Sequence, residues 1–161
     1  MSYLTAILLS LSVFLLTFQL SAVAAPLVPE QIGSAWVYRL PNKQYAQARE
    51  DLTSAIEEQG MVISAVSHVK DMLDRTQTDL GYTSAVYATG GETVMFCKAD
   101  LSQSMMRSNP HNISLCPYGI SIYTLSNKPN VVFLSYRVAP NLPVYQPIEA
   151  LLKTIIERVA E

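Results

Sequence analysis

Two cysteines, two histidines, one tryptophan and six glycines are all that this 161-residue chain has of those residue types. So few sulfur and imidazole ligands leave little from which to build a metal centre, and no C-x-x-C, C-x-x-C-H or H-x-x-x-H spacing occurs. The glycines are scattered at turns. No G-x-S-x-G, G-x-x-x-x-G-K or G-x-G-x-x-G is present, so nothing points to nucleophile-elbow hydrolysis, P-loop phosphate binding or Rossmann dinucleotide binding. Charge is scarce and balanced. Eleven basic against thirteen acidic side chains give a formal net charge of −2 and a pI of about 5.7. That leaves no basic footprint for a phosphate backbone, and nucleic acid is not expected as a partner.

Charge is missing altogether from the first 29 residues. Tyr3 to Leu20 is almost wholly apolar and leads into Ser21-Ala22-Val23-Ala24-Ala25, where Ala22 and Ala24 make an A-x-A cleavage pattern. Residues 1–24 therefore read as a secretory signal peptide. The run is also long enough to span a bilayer and lacks a basic n-region, so an uncleaved anchor, a membrane tether through residues 3–25, is the other reading. Either outcome places residues 30–161 outside the cytoplasmic membrane, in the periplasm, free after cleavage or anchored to the inner membrane.

The rest has enough length and apolar content (50% of the chain) for one packed core. Residues 25–34, with Pro26, Pro29 and Gly33, read as a linker. Residues 35–161 read as a single α+β domain. Ala35 to Leu40 has strand composition, and Tyr45, Ala48, Leu52, Ala55 and Ile56 recur at helical spacing, with Gly60 placed to close the helix. Met61 to Val66 is a short apolar run that suggests a βαβ-type start. Ser67 can cap a helix from His68 to about Arg75, with Val69, Met72 and Leu73 inward. Tyr82 to Ala88 reads as a strand or an ordered loop that Gly90-Gly91 breaks; Thr93 to Cys97 reads as a buried strand. Asp100 to Ser108 is helical, Asn112 to Leu125 is the longest strand signal, and Val131 to Val138 is its hairpin partner. Ile148, Leu151, Leu152, Ile155, Ile156 and Val159 form one helical stripe, to be covered by its own domain or by a second subunit. The order predicts a mainly antiparallel sheet covered by helices.

Several of these pieces resemble one known family. Glu57-Glu58-Gln59-Gly60-Met61-Val62-Ile63-Ser64 is similar to its helix-to-strand step, and Phe96-Cys97-Lys98-Ala99-Asp100-Leu101-Ser102 to its strand ending in Cys near a short helix. Leu115-Cys116-Pro117-Tyr118 leading into Ile120-Ser121-Ile122-Tyr123 is similar to its second Cys and Pro strand. Together they resemble domain of unknown function 302 over roughly Val37 to Val138, with Cys97-Lys98-Ala99 in place of the more usual Cys-Asn-Pro and Cys116-Pro117 in place of Pro-Cys. The resemblance implies a small α+β domain, often dimeric, with no general activity attached.

For chemistry, Cys97 and Cys116 come first. In an oxidising compartment they suggest a disulfide with 18 residues between them, worth about 3 kcal/mol of chain entropy. It can form if their strands are antiparallel neighbours, which puts both at one sheet end; a parallel crossover would separate them. Two buried inert thiols are another reading. A third is a functional thiol or metal site, in which the cysteines with His111, His68 or Met105-Met106 would hold copper or haem iron. His68 itself reads as solvent-facing or backbone-bonded, and Asp71, Asp74, Lys70 and Arg75 as a solvated helix face. Asn112-Ile113-Ser114 matches a glycosylation sequon. Tyr118, Tyr123, Tyr136 and Trp36 are candidate contact residues, because aromatics with polar tips are common at partner surfaces. The expectation is an exported, non-enzymatic binding or accessory domain, with no catalytic residue or cofactor, that associates with itself or with a membrane protein complex. The alternative is a periplasmic redox protein that uses Cys97 and Cys116 with copper or haem.

Overall fold

The computed structural model describes residues 27–161, and the expected signal or anchor segment lies outside them. Among the described residues no helix is long and apolar enough to cross a membrane. The chain runs β1 (Glu30–Ile32), β2 (Ala35–Pro41), α1 (Tyr45–Glu58), β3 (Ile63–Ser67), α2 (Val69–Thr76), β4 (Tyr87–Phe96), α3 (Ala99–Ser108), a 3₁₀ turn (Pro110–Leu115), β5 (Tyr118–Leu125), β6 (Lys128–Arg137), a second 3₁₀ turn (Pro143–Tyr145) and α4 (Gln146–Ala160). It is an α+β fold with one six-stranded sheet in the order β1-β2-β6-β5-β4-β3, antiparallel at every pairing.

Side chains alternate across a strand, so the pairing register sorts the sheet into two faces. One face carries Tyr38, Leu40, Val94, Phe96, Ile120, Ile122 and Leu134, which join Leu52 and Ile56 of α1 and Ile148, Ile155 and Ile156 of α4 in the main core. The buried residues of α1 fall at Ala48, Leu52, Ala55 and Ile56, the spacing of one helical face. Gly60, at φ 73°, donates its N–H to the Glu57 carbonyl at 2.8 Å and ends that helix as expected. The apolar stripe of α4 is covered from within: Ile148, Leu152, Ile155, Ile156 and Val159 are all buried, so it is not left for a second subunit.

Several local expectations give way to longer-range contacts. β2 and β3 run in the same direction but with β6, β5 and β4 between them, so the start is not a paired βαβ unit. Ser67 ends β3 rather than capping α2; His68 stands at the cap position and makes no side-chain cap bond. α2 buries no residue and leaves Met72 exposed, because it lies at the sheet margin instead of over the core. Gly90-Gly91 does not end a strand but sits inside the ten-residue β4, where a side chain at Gly90 would overlap the Tyr45 ring. The glycine there makes room for an aromatic, not for a turn. The first part of the long strand signal, Asn112 to Leu115, lies in the 3₁₀ turn Pro110–Leu115, and β1 falls in the stretch expected as linker.

Leu52 is fully buried between α1 and the sheet, so Leu52→Ala should lower the unfolding free energy by about 2–5 kcal/mol in a urea titration. Leu151→Ala, at the half-buried edge of α4, should cost clearly less; equal losses would contradict this packing.

Candidate functional site

The second face of the sheet carries Thr93, Met95, Gly119, Ser121, Tyr123 and Ser135, most of them half-buried. The alternation that fills the core with large residues leaves small and hydroxyl side chains here, and Thr93, Met95, Gly119, Ser121 and Ser135 line a groove of about 440 Å³ that also takes in Arg137, Cys116-Pro117 and, from the core side, Tyr118, Tyr136, Tyr145 and Leu152. Thr93 Oγ1 and Ser121 Oγ lie 2.8 Å apart across the β4 and β5 strands and hold their own hydrogen bond. A side chain at Gly119 would press on the Thr93 methyl at 3.1 Å, so the glycine keeps the groove floor low. Next to it, Tyr123 stacks on Phe133 with ring centroids 5.3 Å apart and meets Tyr87 edge-on at 5.7 Å. Burial raises the Tyr123 pKa, partly offset by Ser135.

The groove ends at the disulfide. β4 pairs antiparallel with β5 with Phe96 opposite Tyr118, so Cys97, just past one strand, and Cys116, just before the other, come to the same sheet end. Their Cα atoms are 6.7 Å apart, and the two sulfurs form a bridge. α3 and the 3₁₀ turn fill the closed loop, and the hydroxyls of Ser102 and Tyr118 bond at 2.8 Å. Burial raises the Tyr118 pKa, and the Ser102 bond offsets part of that.

A second cluster centres on Glu92, on the helix side of β4. Its side chain is 11% exposed. Arg49 Nε donates to one carboxylate oxygen at 2.5 Å and the Tyr45 hydroxyl to the same oxygen at 3.2 Å, while His68 Nδ1 lies 3.3 Å from the other. One carboxylate thus ties α1, β4 and the start of α2 together, and its charge is met by a guanidinium. Burial first, and Glu92 second, raise the Tyr45 pKa far above its ordinary value.

A family model for the domain of unknown function DUF302 matches residues 36–160. The chain belongs to the DUF302 family. A crystal structure of an uncharacterized conserved DUF302 protein from Bacillus stearothermophilus covers 80% of this chain and 99% of its own at a TM-score of 0.62 and 12% identity, which shows a shared fold. No curated protein matches the chain.

In this DUF302 domain the expected contact aromatics divide. Tyr118 and Tyr136 are buried in the main core and also line the groove, whereas Trp36, half-buried against the core, and Tyr123, on the second face, do not line it. The alternating pattern was readable in the sequence, but which face would be covered was not. Both cysteine sulfurs are used in the bridge, Met105 is fully buried with Met106 packed beside it, and His111 is exposed. Among the described residues no three His, Cys, Asp or Glu side chains gather as a metal site. The sequon is closed: Asn112 is buried, and its side-chain nitrogen donates to the Met105 carbonyl at 3.0 Å and to Ser108 Oγ at 3.3 Å. Sequence reasoning missed the Glu92 cluster, because its members lie 43 and 47 residues apart and form no local motif.

Two measurements check this geometry of the DUF302 site. Replacing both cysteines with Ser should remove about 3 kcal/mol of stability, the entropy of a loop with a sequence separation of 19. Alkylation of both thiols in unreduced native protein would rule the bridge out. Glu92→Gln keeps the shape but removes the charge that Arg49 meets, and it should cost about 1–3 kcal/mol by denaturant titration. An unchanged midpoint would show that the carboxylate ties nothing.

Proposed function

We propose that this DUF302 member is an exported binding domain that works by association rather than turnover, and that the second face of its sheet is the working surface. The observation that carries the reading is that α1 and α4 cover one side of the sheet, while a groove of about 440 Å³ opens beside the other side and runs on to Tyr118, Tyr136, Tyr145 and Leu152 of the core. Hydroxyls and Met95 line the groove floor, and Arg137 at its margin has no carboxylate partner among the described residues. Such a mixture of polar groups and apolar surface suits a partner surface better than a closed substrate pocket. The uncharged first 29 residues support export to the periplasm. The occupant is a second copy of the chain or a subunit of a membrane protein complex.

A second reading, a thiol- or metal-dependent redox protein, is favoured by the position of Cys116 in the groove wall. There a bridge opened by an external dithiol, which supplies two electrons and two protons, would present a thiol to whatever binds. The double Cys-to-Ser variant separates the two readings. Association that survives the double substitution supports the first, and loss of a redox phenotype from a still folded protein supports the second.

Ser121→Arg puts a long cation on the groove floor. Sedimentation equilibrium of the purified chain, with crosslinking in native membranes, should then show self-association or complex association weakened by about tenfold or more. The unfolding midpoint should move little, since Ser121 lies outside the main core. Unchanged association in both assays would overturn the surface assignment, and native protein found in the cytosol would overturn export.

A further inference from the structure

The groove and the disulfide occupy one end of the sheet, where β4 finishes and β5 begins. At the opposite end three connections meet. The Asn42 N–H, after β2, donates to the Asn130 carbonyl of β6 at 3.3 Å, and the Ser126 N–H, in the β5 to β6 turn, donates to the Val86 carbonyl at 3.0 Å. These bonds join the loop from α2 to β4 with the hairpin tip and the end of β2 in one surface. Leu80, Tyr82 and Val86 stand out from it, 67%, 66% and 58% exposed. Three large apolar side chains within seven residues concentrate exposed apolar surface on this one loop. Lys128, at the hairpin tip, has no carboxylate partner among the described residues.

The chain comes into the fold from the same end. β1 is antiparallel to β2 with Glu30 opposite Val37 and Ile32 opposite Ala35, so the path backward from Glu30 to Leu27 follows β2 toward its finish at Pro41. Immediately before Leu27 stands the uncharged apolar stretch Tyr3 to Ala25. If that stretch crosses a bilayer, two residues of extended chain reach about 7 Å at most. A tether that short holds the β1 corner of this sheet end close to the lipid, and the loop that carries Leu80, Tyr82 and Val86 lies at the same end, four strands across the sheet. Tyr82 is a residue type that favours the interface between headgroups and acyl chains, and the free Lys128 ammonium suits anionic headgroups.

We propose that the leader is retained as an anchor and that Leu80, Tyr82 and Val86 dock on the outer surface of the membrane. The groove at the far end then points away from the lipid, toward partners in the periplasm. The inference rests on the export reading above and adds to it a retained leader and a lipid-facing end. Val62 and Ile113 are as exposed as the patch, but they lie at the groove end, on separate elements, and serve as internal controls.

The test uses the full chain purified from native membranes and reconstituted into phosphatidylethanolamine and phosphatidylglycerol vesicles with brominated acyl chains. In a Trp36→Phe background, which removes the one natural indole, Tyr82→Trp or Val86→Trp should lose emission several-fold relative to unbrominated vesicles. Val62→Trp should keep nearly all of it. Emission from Tyr82→Trp and Val86→Trp as resistant as that from Val62→Trp overturns the docking while leaving the anchor intact. If Leu80→Asp then lowers the oligomer mass in detergent, a second copy covers the patch instead of lipid. An amino terminus at Ala25 in the native protein overturns the retained leader but leaves export standing, and cytosolic fractionation sinks both.

Discussion

The pairing of β4 with β5 is the constraint on which most of the molecule depends. With Phe96 opposite Tyr118 and Val94 opposite Ile120, the four large side chains of that stretch point to one face, and Thr93, Met95, Gly119 and Ser121 to the other. Slipping the register by one residue would turn Phe96 and Ile120 into water and bring Thr93 and Ser121 under the helices, at a cost of several kcal/mol of lost apolar burial. The same register brings the two cysteines to one sheet end. The disulfide is therefore a consequence of strand pairing, and the helical loop it closes is held down by the Ser102 and Tyr118 hydroxyls as well as by sulfur.

From that sorting follows an asymmetry that bears on function. α1 and α4 meet each other and the sheet through one continuous core, so neither helix has an apolar face to offer a partner. The sheet's other face has partial cover only: Val37 and Phe133 are buried there outside the main core, Tyr123 lies over Phe133, and the β4 and β5 centre is floored by small residues. Burial of a further surface by this molecule would have to happen on that side or at its loop ends. The Glu92 cluster argues the same way. It uses its charges internally, with Arg49, Tyr45 and His68 directed at one carboxylate, and this is how a helix is fixed to a sheet edge.

Periodicity made the core legible in the sequence. Leu52 and Ile56 in α1, Ile120 and Ile122 in β5 and the stripe of α4 were readable because each element's own spacing declares its buried side. What was not legible depended on contacts between elements far apart in the chain. Gly90 reads as a breaker until the Tyr45 ring is placed against it, and Glu92 is an unremarkable strand residue until Arg49 arrives from another element. Tyr118 and Tyr136 belong to the core by their even spacing with Ile120 and Leu134, and only the folded arrangement shows that both also edge the groove. The position of α2, which buries nothing, was beyond local reading because an amphipathic pattern states that a face is apolar and not what will cover it.

The two sheet ends then differ in kind. At one, a covalent bridge, a 3₁₀ turn and a buried asparagine whose side-chain nitrogen donates two hydrogen bonds tie the loops down, and the groove opens beside them. At the other, the tips are joined by single backbone bonds, and large apolar side chains stand in solvent. A surface meant to recognise a shaped partner gains from preorganisation, since each side chain already ordered lowers the entropy lost on binding. A surface meant to rest on a fluid bilayer needs no fixed shape, only apolar area and a suitable headgroup contact. That difference between the two ends supports the proposal of a domain held at one end and recognising at the other.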